Sequence, residues 1–148
     1  MSEVYFYSNK GGPYALFSNF ASTPITIEDE EWPTVEHYFQ SRKTLDEWER
    51  EKIRRCSTPW EAKKAGRELV LRKDWYFIRE KYMLIALRAK FTQYPGLRQL
   101  LLDTKQANIH EESPTDTYWG YAFGKGKDRL GKLLMQVREE LEEQCPLQ

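Results

Sequence analysis

The sequence is poor in the residues that build disulfide frameworks and metal sites. Its 148 residues include two cysteines, Cys56 and Cys145, and two histidines, His37 and His110. The cysteines lie far apart, and no local motif joins them to the histidines with the spacing of zinc ligands. We therefore expect two reduced thiols and no metal site.

Net charge and long hydrophobic runs are also absent. Lys and Arg number 23, as do Asp and Glu, so broad, salt-driven affinity for nucleic acid is not predicted, although a local basic groove is compatible with the composition. No apolar run has membrane-spanning length, and the N-terminus lacks the basic-then-apolar pattern of a signal peptide. We therefore expect a cytoplasmic protein that does not insert into a membrane.

The composition that is present fits an ordinary globular protein. Hydrophobic residues make up 40% and aromatic residues 14%, which suits a substantial core or a site that stacks flat rings. The length, together with the absence of repeats and linker-like segments, predicts a single domain over residues 1–148. Short strands followed by several helices predict an α+β fold, predominantly helical with a small β-sheet.

Local patterns place these elements along the chain. Strands are predicted over Val4–Tyr7, Pro24–Ile27 and Ala107–Ile109, and a loop over Asn9–Pro13. Helices are predicted from N-caps, proline positions and apolar periodicity: Val35–Lys43, Leu45–Arg55, one from Pro59, Trp75–Phe91, one from Pro95 and one carrying Leu130, Leu133, Leu134, Val137 and Leu141. Trp75–Phe91 is apolar almost all round, which predicts a buried central helix.

Glu36, Gln40 and Lys43 form the first candidate constellation. Offsets of four and seven place a carboxylate, an amide and an ammonium on one helical face. A carboxylate at the edge of a core can stabilise a positive sugar transition state. The alternative interpretation is a solvated stripe beside a buried one, which is far commoner.

Asp116 and Trp119 form the second constellation, just before the glycine-rich loop Gly120–Gly131. They suit a polar catalytic group beside a base-stacking ring, or a turn aspartate beside a core tryptophan. The loop resembles a phosphate-cradling segment without a Walker or dinucleotide motif. Among the basic residues Lys63, Lys64, Arg67, Arg72 and Lys73, Arg67 is the candidate phosphate ligand, since arginine binds phosphate bidentately; the alternative for the whole run is a solvated helix face.

A set of short motifs follows one order along most of the chain, from Tyr7 to Leu141. The motifs are Phe17–Phe20, Trp32–Gln40 with Lys43, Ala65–Arg67, Arg72–Trp75, Ala89–Gln93, Asp116, Trp119–Gly120 and Leu130–Arg138. Together they resemble the NADAR family, also called YbiA-like. The string Glu36-His37-Tyr38-Phe39-Gln40 is the most specific of them.

The resemblance implies a mainly helical α+β fold and N-glycosidase activity without a metal or organic cofactor. Two substrate classes are associated with the family: phosphoribosylamino-pyrimidine intermediates of riboflavin synthesis, and ADP-ribose attached to guanine. The implied partner is therefore a small phosphoribosyl or ADP-ribosyl substrate, or an ADP-ribosylated nucleic acid. The sequence does not predict an oligomeric state.

On this resemblance we assign catalytic roles to Glu36, Lys43 and Asp116. Glu36 would stabilise the sugar cation or orient water, Asp116 would assist the base or the sugar hydroxyls, and Lys43 would bind phosphate or attack the anomeric carbon. Substrate-binding roles are assigned to Asn19, Gln40, Arg67, Trp119 and Gly120. Trp75, Phe91 and Leu134 also match the family, but we assign them to the core.

Three positions depart from the usual family residues. Lys105 and Ala122 replace glycines, and Asp128 replaces an asparagine. They lie around the glycine-rich loop, so we expect them to affect substrate choice more than the reaction. A non-catalytic sensor of ADP-ribose or nucleotides is the competing hypothesis, but a pure binder does not need Glu36, Lys43 and Asp116 together. A structural interaction protein is the third hypothesis, and it predicts a large exposed apolar patch.

Overall fold

The computed structural model describes residues 2–8 and 10–144. These residues contain four short β-strands and six α-helices, which confirms the predicted α+β fold. The chain divides into two compact units: one consists of the segments up to Ser18 and from Phe91 onward, and the other is Asn19–Lys90. The single domain over residues 1–148 stays a prediction. Asn9 of the predicted loop and Cys145 lie outside the described residues.

In the first unit, two strands and two helices surround an apolar core. Strand β1 (Glu3–Phe6) pairs in parallel with β4 (Asn108–Glu111). Helices α5 (Pro95–Asp103) and α6 (Arg129–Gln144) complete the unit. The predicted stripe of α6 is confirmed, since each of its five apolar residues is at most 3% exposed. A Cβ atom at Gly131 would overlap the Ile109 carbonyl, so glycine lets α6 approach β4.

The second unit begins with a β-hairpin that was only partly predicted from the sequence. Strand β2 (Ile25–Ile27) is antiparallel to β3 (Glu30–Trp32), and only β2 was predicted. The connecting residues Glu28 and Asp29 have φ of 51° and 67°, as a two-residue hairpin turn requires. Because neither is Asn or Gly, the usual turn signal is absent from the sequence.

Three short helices follow, each started by a side-chain cap. They are α1 (Val35–Ser41), α2 (Glu47–Arg54) and α3 (Pro59–Arg67). Thr34, Asp46 and Thr58 each accept a hydrogen bond from a backbone N–H of the first turn, which satisfies donors that lack a helical partner. The expected extension of α1 to Lys43 is wrong, because the helix ends at Ser41 and a turn follows.

The long helix α4 (Trp75–Gln93) is less buried than predicted. Tyr76 and Phe77 are 71% and 94% exposed, so an all-round apolar sequence did not mean all-round burial. The buried face contains Met83, Leu87 and Lys90, which follow the spacing of one helical stripe. The assignment of Trp75, Phe91 and Leu134 to the core is confirmed, as their exposed fractions are 4%, 0% and 0%.

Within the described ranges, no helix combines the length and apolarity needed to cross a membrane.

Candidate active site

Helix α1 carries a carboxylate and an amide that are both withdrawn from solvent. Glu36 is 7% exposed and Gln40 is 4% exposed. One helical turn separates them, and Gln40 Nε2 donates to Glu36 Oε2 at 2.6 Å. Removing a carboxylate from water is costly unless hydrogen bonds compensate, so this contact holds Glu36 in a defined position. The alternative of a solvated stripe is therefore wrong for these two residues.

Gly66 on α3 allows the two helices to meet at the amide of Gln40. A Cβ atom at this position would overlap Gln40 Oε1 and lie 2.7 Å from Gln40 Cδ. The oxygen Oε1 is fully buried and has no hydrogen-bond partner among the described residues. A role for Gly66 beyond its place in a family motif was not predicted, since close helix approach leaves no distinct signal in a single sequence.

Asn19 is fixed beside the same helix through its main chain. Its carbonyl oxygen accepts from the Glu36 N–H at 3.1 Å, and its side chain is 7% exposed. Asn19 Nδ2 contacts Met83 Sδ at 3.5 Å, whereas Oδ1 is buried without a hydrogen-bond partner in the described part of the chain. A buried acceptor left unsatisfied costs about 1–3 kcal/mol. Buried amide oxygens without partners, as at Asn19 and Gln40, are expected where a ligand supplies the donors.

Lys43 lies just beyond α1, where its N–H donates to the Gln40 carbonyl at 3.2 Å. Burial lowers the pKa of its ammonium below the ordinary value, the nearby charges of Arg67 and Lys63 lower it further, and Glu36 opposes them. Among the described residues, none of these three cations forms a salt bridge. The structure thus brings Asn19, Glu36, Gln40, Lys43 and Arg67 together in one unit.

Asp116, Trp119 and Gly120 lie on one turn of the first unit. Asp116 Oδ1 accepts from the N–H groups of Tyr118 at 3.0 Å and Trp119 at 2.8 Å. The Asp116 N–H donates to Ser113 Oγ at 3.1 Å. A Cβ atom at Gly120 would lie 2.6 Å from the Asp116 carbonyl oxygen. The alternative role of Asp116 as a turn residue is therefore observed, and its catalytic role stays a prediction.

The glycine-rich loop contains a strained segment beside a cavity of about 220 Å³. Ala122, Phe123 and Gly124 all have positive φ, at 47°, 55° and 85°, and Phe123 is 82% exposed. The cavity is lined by Tyr7, Lys10, Glu112, Pro114, Tyr121 and Phe123. A left-handed backbone at a residue other than glycine costs about 1–2 kcal/mol.

The three departures from the family residues share this backbone conformation. Lys105, Ala122 and Asp128 have φ of 56°, 47° and 57°, which is the region that glycine and asparagine enter most readily. The usual family residues therefore fit a conformational requirement at all three positions. An effect of the replacements on substrate choice stays a prediction.

The remaining basic residues have different environments. Arg72 Nε donates to Asp74 Oδ1 at 2.6 Å, so this arginine serves a local ion pair, while Lys64 is exposed. Lys90 is completely buried in α4, and burial lowers its pKa to about 7. Strongly perturbed groups are functional candidates, and Lys90 was not assigned a role from sequence.

No group of three or more His, Cys, Asp or Glu side chains suited to a metal ion occurs among the residues that the structure describes.

Comparison with known proteins gives a consistent match over most of the chain. The family model described as NADAR domain matches residues 5–142. The N-glycosidase YbiA of Escherichia coli is 50% identical over 141 residues, covering 93% of this chain and 88% of that protein. The NMR structure of E. coli YbiA has a TM-score of 0.88 at 46% identity, covering 100% of this chain and 91% of the other.

More distant relatives carry related names. An N-glycosidase of Nostoc punctiforme is 40% identical over 144 residues, covering 93% of this chain and 92% of that protein. A riboflavin biosynthesis protein of Vibrio vulnificus is 37% identical over 146 residues, covering 97% of this chain but 40% of that longer protein. On the family match and the identity to these relatives, the chain belongs to the NADAR family, and it is an N-glycosidase.

Proposed function

We propose that this N-glycosidase hydrolyses the bond between ribose and base in phosphoribosylamino-pyrimidine intermediates of riboflavin synthesis. The observation that carries the proposal is the buried Glu36 carboxylate, held by Gln40 at 2.6 Å beside amide oxygens that lack donors. The riboflavin name of the Vibrio vulnificus relative supports the substrate class. The unpaired cations Lys43 and Arg67 suit the phosphate of such a substrate.

Breaking the ribosyl–nitrogen bond creates positive charge at the anomeric carbon and negative charge on the leaving base. Glu36 stabilises the first of these charges and accepts the proton of the attacking water as the new carbon–oxygen bond forms. Asn19 Oδ1 accepts a hydrogen bond from a sugar hydroxyl, and Gln40 keeps the Glu36 carboxylate in place. Such positioning places the carbon close to Glu36 before the bond breaks.

Lys43 has one of two roles in this proposal. Because burial and neighbouring cations lower its pKa, a larger fraction of the amine is neutral than in a free lysine. A neutral amine can attack the anomeric carbon as the base leaves with its bonding electrons, and opening of the ribose ring then gives an imine that water hydrolyses to free sugar and amine. Alternatively, the protonated amine binds the substrate phosphate. Borohydride would trap the imine as a stable adduct on Lys43, and a substrate-binding role would leave the protein mass unchanged.

Asp116, Trp119 and Gly120 of the first unit keep the roles that the family resemblance implies, as proposals. The Asp116 oxygen that does not bind the turn, Oδ2, makes no hydrogen bond with the described residues, so it is available to assist the base or the sugar hydroxyls. Trp119 offers a ring for stacking on the base. Gly120 permits close approach of the main chain, as glycine has no side chain.

The test is base release measured by mass spectrometry with native protein and a Glu36→Gln variant. Three substrates are offered: a phosphoribosylamino-pyrimidine, single-stranded DNA with ADP-ribosylated guanosine, and NAD. We expect turnover of the first, reduced about 10³-fold in the variant, which keeps the shape of Glu36 and loses its charge. Turnover of ADP-ribosylated DNA instead would replace the substrate class. Tight binding without any turnover would favour the sensor hypothesis.

A further inference from the structure

The cavity beside the glycine-rich loop lies at one end of the parallel strand pair β1–β4. Tyr7 directly follows β1, and Glu112 directly follows β4. Because the strands are parallel, their carboxyl ends meet at the same edge, where the Glu112 N–H donates to the Phe6 carbonyl at 2.8 Å. In larger parallel sheets this edge is the one at which ligands bind. The position of the cavity in the fold therefore suits a ligand site.

Three aromatic rings line this cavity, those of Tyr7, Tyr121 and Phe123. The Tyr121 ring is held in place by its neighbours, since its centroid lies 4.5 Å from that of His110 and 5.7 Å from that of Tyr5. The Phe123 ring is 82% exposed although it forms part of the wall. Covering an exposed apolar ring is favourable, so a ligand that contacts these rings gains affinity from them.

The charged groups that line the cavity are one carboxylate and one ammonium. Lys10 Nζ lies 3.4 Å from Glu112 Oε2, and the two side chains are 60% and 34% exposed. The carboxylate therefore belongs more to the wall of the cavity, and the ammonium more to the solvent. Exposed ion pairs contribute little to stability, so a ligand can displace Lys10 from Glu112 at small cost.

The walls favour a positive ligand over a negative one. The face of an aromatic ring is the negative part of its quadrupole, and the Glu112 carboxylate adds a full negative charge. Aromatic rings around a small space are a general means of recognising quaternary ammonium groups. The Lys10 ammonium marks the position beside the carboxylate that a ligand cation would take.

Size and lining distinguish this cavity from a larger depression of the same unit. An apolar cavity of about 150 Å³ holds benzene, so about 220 Å³ accommodates a trimethylammonium head with a short chain. The larger depression, of about 620 Å³, is lined by polar and charged residues, with Met135 as the one apolar exception. It offers no aromatic ring to a cation, and the smaller cavity offers three.

We propose that Tyr7, Tyr121, Phe123 and Glu112 form a binding site for a small quaternary ammonium compound. The cationic head contacts the three rings and pairs with the Glu112 carboxylate, and Lys10 turns to the solvent. The site contains none of the residues assigned to the N-glycosidase reaction, so it is independent of the proposed function.

Calorimetric titration of the native protein with choline tests this site without any turnover. The matched neutral probe is the dimethylbutanol in which a carbon atom replaces the choline nitrogen, so the two probes share a shape and differ in charge. We expect choline to bind about tenfold more tightly than the neutral probe. Glu112→Gln should abolish most of this preference. Phe123→Leu should weaken choline about threefold, because it removes one ring and keeps an apolar side chain.

Lys10→Gln gives the most specific prediction. Because the native ammonium competes with the ligand for Glu112, its removal should tighten choline binding about threefold. A general disturbance of the loop, or a site for an anion, would weaken binding instead. Lys105→Gln is the matched control on an exposed lysine of the same unit. Phe77→Leu, at a ring that is 94% exposed, is the control for Phe123→Leu, and neither control should change the affinity.

Equal affinity for choline and the neutral probe, or weaker choline binding by Lys10→Gln, would overturn the site. Absence of choline binding to both the native protein and Lys10→Gln would overturn it as well. Sedimentation of the protein with phosphatidylcholine vesicles, reversed by free choline, would identify a lipid head group as the source of the ammonium. Choline binding without such sedimentation would identify a free small molecule.

Discussion

The two units of the chain each contain a buried polar cluster, and the clusters differ in how their groups are paired. In the first unit, His110 Nδ1 lies 2.5 Å from Asp128 Oδ2, and His110 Nε2 lies 2.8 Å from Glu3 Oε1. Both ring nitrogens are therefore occupied by groups of the chain itself. In the second unit, the Glu36–Gln40 pair leaves Gln40 Oε1 and Asn19 Oδ1 without partners.

This difference shows why a perturbed pKa alone is weak evidence for a site. Burial by itself would lower the pKa of His110, but the hydrogen bonds and charges of Glu3 and Asp128 outweigh it and raise the pKa. The result is a histidine of raised pKa whose ring nitrogens both contact carboxylates of the chain. One oxygen, Asp128 Oδ1, has no hydrogen-bond partner in the described part of the chain. The second cluster combines a lysine of lowered pKa with two buried acceptors that lack partners among the described residues and with nearby cations, which supports the proposed site.

Among the substitutions that test this contrast between the two clusters, Gly66→Ala is expected to have the largest effect. The added methyl group overlaps Gln40 Oε1, so the amide must move and the 2.6 Å contact with Glu36 is lost. We expect kcat/KM to fall about 10²-fold, because a small misplacement of a catalytic group has a large cost. Stability should fall by about 1–3 kcal/mol, as for other overpacked positions. Steady-state kinetics and thermal unfolding measure the two effects.

The double variant Gly66→Ala with Gln40→Ala is the control for this experiment. Removing the amide gives the methyl group space, so stability should return toward the native value while kcat/KM stays low. Recovery of both quantities together would show that the Glu36–Gln40 contact has no part in catalysis.

A smaller effect is expected at Asp116, where two roles must be separated. Asp116→Ala removes the acceptor for two backbone N–H groups and should cost about 1–2 kcal/mol of stability. Asp116→Asn keeps an acceptor and loses the charge. If Asp116 is catalytic, Asp116→Asn should lower kcat about 10²-fold with little loss of stability. An active, stable Asn variant would leave only the turn role.

Much of the fold was accessible from sequence because local signals agreed with tertiary packing. Thr58 and Pro59 predicted the start of α3, and the leucine spacing predicted the buried face of α6. The prediction of the β2–β3 hairpin was incomplete, because Glu28 and Asp29 adopt positive φ although neither is a usual turn residue. The exposure of Phe77 was missed because the apolar pattern of α4 does not specify which face the rest of the unit covers.

For the candidate site too, local spacing was predictive and tertiary packing was not. Helical spacing indicated that Glu36 and Gln40 share a face, and the structure places them in contact. Neither the unsatisfied oxygen of Gln40 nor the approach of Gly66 follows from spacing, because both depend on how α3 packs against α1. The cation–π contacts of Lys63 and Arg67 with Trp60 were not predicted either, because a basic run in the sequence does not show which aromatic ring its side chains approach.

The paired cluster of the first unit should be visible in the pH dependence of stability. Since the folded-state pKa of His110 is raised above the ordinary 6.5, its contribution is complete below that pH and is lost as the pH rises through the folded value. We expect native stability to decline as the pH rises above about 6.5, an effect that is absent in His110→Gln and shallower in Asp128→Asn. Chemical denaturation across this range measures it, and equal slopes in all three proteins would contradict the assignment. Burial lowers the pKa of His37, so the effect of His37 on stability changes below pH 6.5 instead.

The smallest expected effect is a gain in stability from Lys105→Gly, at a residue that belongs to neither polar cluster. Lys105 is exposed and has φ of 56° just after α5, where its N–H donates to the Leu102 carbonyl at 3.0 Å. Glycine enters this conformation without steric cost, so we expect about 0.5–1 kcal/mol of added stability and unchanged kcat/KM. Lys105→Ala is the matched control, because it removes the charge but keeps the Cβ atom, and it should show no gain. If the two variants are equally stable, charge and not backbone strain explains the change. If Lys105→Gly alters substrate preference, the loop departures act on specificity as first expected, and the conformational explanation is incomplete.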